Sequence, residues 1–216
     1  MKRLLFCILS MSVCMGIFAQ QLEEFTWEEF EVENESYIII TGYTGTIRSI
    51  TIPRSINGMW VAGIGEGAFK EKNLTSVIFP PRLGVIDLYA FYGNKLTSVI
   101  IPEYVQFIGE AAFSNNLLTN VQISSKLKTT IGDTAFHKNR LTSVTIPPAI
   151  TSIGIMAFGE NQITSVTIGE NVELGDMLGT GILGIAANFN QAYNSAGRRA
   201  GTYTRTNTTS STWTRR

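Results

Sequence analysis

The sequence predicts a solenoid of about six coils, α/β in class but β-rich, with 22–23 residues per coil. A parallel β-sheet is expected on one face and short turns or helical turns on the other. Three observations predict it. The dipeptide Ala-Phe recurs at Ala68-Phe69, Ala90-Phe91, Ala112-Phe113, Ala135-Phe136 and Ala157-Phe158, in steps of 22, 22, 23 and 22 residues. An isoleucine stands four residues before each alanine, at Ile64, Ile86, Ile108, Ile131 and Ile153. The string LTSV, with ITSV at Ile163, opens a new unit five residues after each phenylalanine, at Leu74, Leu96, Leu118, Leu141 and Ile163, except that Leu118 continues as LTNV. A period of 20–29 residues with leucine-like anchors marks a leucine-rich-repeat solenoid.

From the start of the chain, residues 1–19 have the layout of an export signal. Lys2 and Arg3 precede an apolar run from Leu4 to Phe18, and Ala19 suits the cleavage position. The run is shorter than the roughly 20 residues that span a bilayer, and no membrane span is expected elsewhere. Both cysteines, Cys7 and Cys14, lie inside this segment, so the exported form is expected to lack disulfides. Cys14 as a lipid-attachment residue is the competing reading, and bulky Val13 before it argues against that anchor.

Residues 20–46 form an acidic leader and cap. Seven glutamates fall between Glu23 and Glu35, interleaved with Phe25, Trp27 and Phe30. Order is expected from about Tyr37, with a flexible start near Gln20. Charge overall is balanced at 17 acids and 17 bases, which removes a general field for nucleic acid or anionic lipid.

Residues 47–178 hold the repeats, which share LTSVxIPxxVxxIGxxAFxxNx, with an earlier unit from Ile47. Val99 and Ile101 alternate with Ser98 and Ile100, the period of a strand, and Pro102 ends it because proline has no N–H for a ladder. Unit four departs, with Ser124 in the proline position and one extra residue before Ile131. Gly109 and its counterparts suit a corner, alanine a close backbone approach, and phenylalanine the coil interior. Asn94, Asn116, Asn139 and Asn161 recur three residues after phenylalanine and are expected to bond the backbone of the next coil at the bend, or else to sit in solvated turns. Six strands about 4.8 Å apart make a sheet roughly 24 Å across.

Residues 179–216 form a C-terminal cap and tail. GTGILG, Gly179 to Gly184, matches a dinucleotide fingerprint formally but lacks the βαβ unit and following acid, so it reads as a joint. A helical turn near Phe189–Tyr193 and a hairpin through Tyr203 and Trp213 are expected to close the open end.

The repeat string resembles the BspA-like, spirochaete-type leucine-rich repeats of bacterial surface proteins. The resemblance covers about residues 37–178. It extends to ITGYTGTIRSITIPRSINGMWVAGIGEGAF before the repeats, where Asn57-Gly58 is a tight-turn pair, and to NFNQAYNSAGRRAGTYTRTNTTSSTWTR after them. The usual family unit resembles 23 residues with cysteine where this chain has asparagine. The resemblance implies adhesion to host matrix or to other cells.

Catalytic chemistry has little to build on. His137 is the single histidine, at a position occupied elsewhere by Lys70, Tyr92, Ser114 and Gly159, and is expected to be exposed. Without cysteine and with one histidine, no zinc site of ordinary composition is expected. Neither cofactor nor metal nor enzymatic activity is anticipated. The function read from the sequence is a non-catalytic, secreted or surface-displayed monomer that binds a protein or cell-surface ligand. A periplasmic interaction scaffold and a polysaccharide- or ordered-surface-binding solenoid are the alternatives. The candidate binding face consists of the outward strand positions Ser76, Ile78, Ser98, Ile100, Asn120, Gln122, Ser143, Thr145, Ser165 and Thr167. Within it Ile78 and Ile100 interrupt a small-polar row and are the expected anchor.

Overall fold

The structure, a computed structural model, describes residues 22–124, 126–175 and 187–216. The export signal of residues 1–19 and the GTGILG joint lie outside the described residues.

Each coil contributes two short strands, one on each side of a shared core. The LTSV positions form β3 (Ser49–Thr51), β6 (Ser76–Ile78), β8 (Ser98–Ile101), β10 (Asn120–Ile123), β12 (Ser143–Ile146) and β14 (Ser165–Ile168). The isoleucine before each Ala-Phe ends a second series: β5 (Met59–Ile64), β7 (Val85–Ile86), β9 (Phe107–Ile108), β11 (Thr129–Ile131) and β13 (Ile150–Ile153), which β15 (Glu173–Leu174) continues with a leucine. The protein is therefore the repeat solenoid that the periodicity predicts, parallel in sheet and poor in helix.

The face opposite LTSV is more regular than a series of turns. With β1 (Phe25–Val32) and β2 (Glu35–Tyr43) at one end, it runs in the unbroken order β1-β2-β5-β7-β9-β11-β13-β15, the coil-to-coil pairs all parallel. Its neighbour, the LTSV face, is interrupted. Ladders join β3 to β6, β8 to β10 and β12 to β14, but not β6 to β8 or β10 to β12. Each interruption coincides with a departure from the repeat. Phe79 takes the core position held by Ile52, Ile101, Ile123, Ile146 and Ile168, and its larger ring lies edge-on to Phe91 and Phe113, 5.4 and 6.3 Å between centroids. The second break follows the unit with the extra residue.

The core is built by stacking like on like. Phe69, Phe91, Phe113, Phe136 and Phe158 form a column with centroids 4.9, 5.3, 5.3 and 5.2 Å apart and planes within 7° of parallel. All five are buried, as are the alanines before them. Their backbones run close: Phe91 N–H donates to Ala112 O at 2.7 Å and Phe113 N–H to Ala135 O at 2.8 Å. Gly109, Gly132 and Gly154, after the repeat isoleucine, have no special φ and instead lie against the backbone of the preceding coil, though Asp87 holds the same position in another unit. A Cβ at Gly132 would lie 2.8 Å from Glu110 N and 2.9 Å from Gly109 C.

The coil instead turns through left-handed residues on either side of Ala-Phe. Gly67, Tyr89, Ala111, Thr134 and Met156 have φ of 60°, 53°, 53°, 51° and 53°, and Glu71, Gly93, Asn115, Lys138 and Glu160 have φ of 51–68°. Most of these are not glycine, so composition does not mark them.

Both ends are capped. β1 and β2 form an antiparallel hairpin whose loop residues Glu33 and Asn34 have φ of 52° and 66°, the two positive values of a type I′ turn. The acidic stretch before Tyr37 is a strand, β1. Phe25 and Tyr43 close the N-terminal end of the phenylalanine column, 6.2 and 5.7 Å from Phe69. Asn57-Gly58, φ 51° and 83°, makes the expected tight turn between β4 (Ser55–Ile56) and β5.

At the other end, α1 (Ala187–Ser195) precedes β16 (Gly201–Thr204) and β17 (Thr214–Arg215). Gly197, φ 70°, ends the helix in a Schellman motif: its N–H donates to Asn194 O and that of Arg198 to Tyr193 O. β16 adds antiparallel to β14, and Phe189, Tyr193, Tyr203 and Trp213 pack edge-on beneath it. Tyr193 Oη donates to Gly169 O at 2.8 Å and accepts from Val172 N–H at 3.1 Å, which ties the cap to the last coil.

Candidate functional site

The positions that carry the candidate site are held by the core below them. In β8 the side chains of Val99 and Ile101 are buried, which turns Ser98 and Ile100 to the opposite surface. The same alternation exposes Ser76, Ile78, Asn120, Gln122, Ser143 and Thr145. Ladder registers align them in two rows: Ser98 with Asn120 and Ile100 with Gln122, then Ser143 with Ser165 and Thr145 with Thr167. Ser165 and Thr167 are placed differently from the rest. They lie beside the cap strand β16, are half-buried, and Thr167 shares a 2.9 Å hydrogen bond with Thr202. The open part of the face therefore ends at β12.

Ile78 and Ile100 stand out within it, 63 and 61 % exposed. Both line a shallow groove at the break between β6 and β8, together with Ser76, Ser98, Phe79, Pro81, Glu103 and Ser124. Phe79, Pro81, Glu103 and Ser124 were not among the expected face residues. Phe79 was legible as the one ring in a row of isoleucines, but its effect on strand spacing was not. At the groove's margin Glu103 is paired with Lys126 at 2.8 Å, and Lys126 lies over the ring of Tyr104, 5.7 Å away. That ion pair raises the pKa of the Lys126 ammonium, through its bond to Glu103 first and its charge second.

His137 is less exposed than the sequence indicates, with 13 % of its side chain accessible. Its Nε2 lies 3.3 Å from Glu160 Oε1 but is not aligned for a hydrogen bond. Burial lowers the imidazole pKa, and Lys138 adds to this, while Glu160 opposes it. The ring stands alone: among the described residues no group of three His, Cys, Asp or Glu is placed to hold a metal ion. Nor is any helix among them long and apolar enough to cross a membrane.

The asparagines form a second ladder, inside the bend. Asn94 Oδ1 accepts from Leu74 N–H at 2.9 Å, and its Nδ2 donates to Phe69 O at 2.7 Å and Phe91 O at 3.0 Å. Asn116, Asn139 and Asn161 repeat the arrangement. Each amide bridges its own coil to the one before it rather than to the next, because Nδ2 reaches back to the phenylalanine carbonyl of the preceding coil, so these residues are structural.

Known proteins agree with this architecture. The family described as BspA type leucine rich repeat region matches residues 62–177 in six copies. The chain belongs to that family. Among solved structures, it is similar to the pneumococcal vaccine antigen PcpA, at 18 % identity and a TM-score of 0.53, over 71 % of this chain and 51 % of PcpA. It thus spans about half the length of that protein. A leucine rich repeat protein of T. pallidum matches at 17 % identity and a TM-score of 0.45, over 81 % of this chain and 94 % of its own. A leucine rich cell surface protein of Faecalibacterium prausnitzii matches at 22 % and 0.40, over 66 and 52 %. No curated protein matches the sequence.

Proposed function

We propose that the protein is an exported, non-catalytic binding module that works at a bacterial cell surface and holds a protein partner on the LTSV face. The observation that carries this reading is the pair Ile78 and Ile100, mostly exposed, side by side in one groove and rimmed by serines and Glu103. Extended faces of solenoids are where such proteins bind partners, and an apolar pair inside a polar field is suited to anchor one. Family membership supports the repeat fold of a surface protein, and adhesion is the specific role we infer from it.

The test is capture from surface-labelled cells with the immobilised chain and two variants. Ile78→Thr with Ile100→Thr is expected to keep the thermal unfolding midpoint and lose the captured partner. Replacing Lys138 and Arg140 with alanine, on the bend, is expected to change neither. Capture that survives the double threonine change but not the bend change moves the site to the loops. Capture that survives protease treatment of the cell material favours a polysaccharide ligand instead.

A further inference from the structure

Charge is sorted along the solenoid axis in a way that the balanced total hides. Residues 22–47 contain seven glutamates and no lysine or arginine, a net of −7. Residues 48–175 contain nine acids and ten bases, a net of +1. Residues 187–216 contain five arginines and no acid, a net of +5. The fold sends these segments to opposite poles. The hairpin β1–β2 is the outermost element beyond β5, and β16–β17 is the outermost element beyond β14. Glu28, Glu29, Glu31, Glu33 and Glu35 are exposed at one pole, and Arg199, Arg215 and Arg216 at the other.

We infer that the two poles are complementary surfaces and that copies of this chain associate head to tail, acidic hairpin against basic cap. A contact between two different surfaces of the same molecule is heterologous, so it extends head to tail into chains or rings rather than a symmetric dimer. This differs from the monomer expected from the sequence, since equal totals of charge carry no information about position.

The contact is electrostatic rather than a continuation of a sheet. β1 is an edge strand, but Glu29 pairs across the hairpin with buried Ile38, which puts a carboxylate on the core-facing side of that edge. Inward charge on an edge strand blocks strand addition. At the far pole β17 has two residues, too few to template a strand. Opposed charge without a strand ladder is reversible and sensitive to salt, since the screening length falls from about 30 Å at 0.01 M to about 3 Å at 1 M.

The experiment measures weight-average mass of the full chain by sedimentation, up to millimolar protein, at about 0.01 M and about 1 M salt. Mass is expected to rise with concentration at low salt and return to that of one chain at high salt. Two variants locate the contact: Glu28→Lys/Glu29→Lys/Glu31→Lys, and Arg199→Glu/Arg216→Glu, all at exposed positions. Each alone is expected to remain one chain at low salt with an unchanged unfolding midpoint. Mixed in equal amounts they are expected to form a two-chain species, because one retains the basic pole and the other the acidic pole. A wild-type chain that stays single at low salt overturns the inference. So does association that strengthens with salt, or folded variants that fail to pair when mixed.

Discussion

Removing the amide of Asn116 tests whether the asparagine ladder holds the coils together. Asn116 is buried, and its Oδ1 is the acceptor for Leu96 N–H at 3.1 Å. Its Nδ2 donates to Phe91 O at 2.9 Å and Phe113 O at 3.1 Å. The two carbonyls are not orphaned by Asn116→Ala, since Phe91 O also accepts from Asn94 and Phe113 O also accepts from Asn139. The Leu96 N–H loses its acceptor in a dry site, at about 1–3 kcal/mol, and two further bonds worth about 0.5–1.5 kcal/mol each are lost. The expected cost is therefore about 2–6 kcal/mol. Asn161 makes the same bonds but is partly exposed, so water can replace its oxygen and Asn161→Ala should cost about 1–2 kcal/mol. Asn116→Asp keeps an acceptor for Leu96 but turns a carboxylate towards two carbonyls, and should be at least as damaging as alanine. Urea denaturation of the three variants measures all of this. An Asn116→Ala cost within about 0.5 kcal/mol, the range of exposed positions, would refute the ladder.

Further outcomes follow from other parts of the core and its turns. Phe113→Ala opens the column between two rings 5.3 Å away on either side and should cost about 3–5 kcal/mol by denaturation. Gly132→Ala drives a Cβ into the backbone of Glu110 and Gly109, and should cost about 1–3 kcal/mol, whereas alanine at open Gly84 should cost less by the same assay. Thr134→Gly should stabilise by about 0.5–1 kcal/mol, because a β-branched residue at φ 51° is strained and glycine is not. His137 titrates lower in the fold than in the unfolded chain, so the unfolded state binds the proton first. Stability is accordingly full above about pH 6.5 and falls as pH drops through the window between that value and the lowered folded one. The fall should be smaller in His137→Asn, as measured by unfolding midpoints across that range.

The repeat made most of the fold legible because each position has one dominant physical role. Buried isoleucine and phenylalanine recur at fixed spacing since every coil must place the same side chain over its copy. The outward residues of the candidate face were readable for the same reason, as strict alternation leaves Ile78 and Ile100 no route to the core. The second sheet was not readable. Its coil strands, β5 to β15, are two to six residues long, too short for alternation to show, and they exist because the neighbouring coil supplies their hydrogen bonds. The left-handed turns escaped notice because Tyr89, Thr134 and Met156 occupy conformations that composition assigns to glycine.

By itself the sequence determined the coil length, the core rows and the turn at Asn57-Gly58, all of which depend on residues near one another or on an exact period. Tertiary structure alone decided that the acidic stretch is a strand, β1, and that β16 adds antiparallel to β14. It also decided that a groove lies at the break between β6 and β8, with Phe79 in its lining, and that His137 is largely covered. The physical reason is common to these: each depends on which atoms of another coil lie about 5 Å away, and that distance is set by stacking rather than by position in the chain.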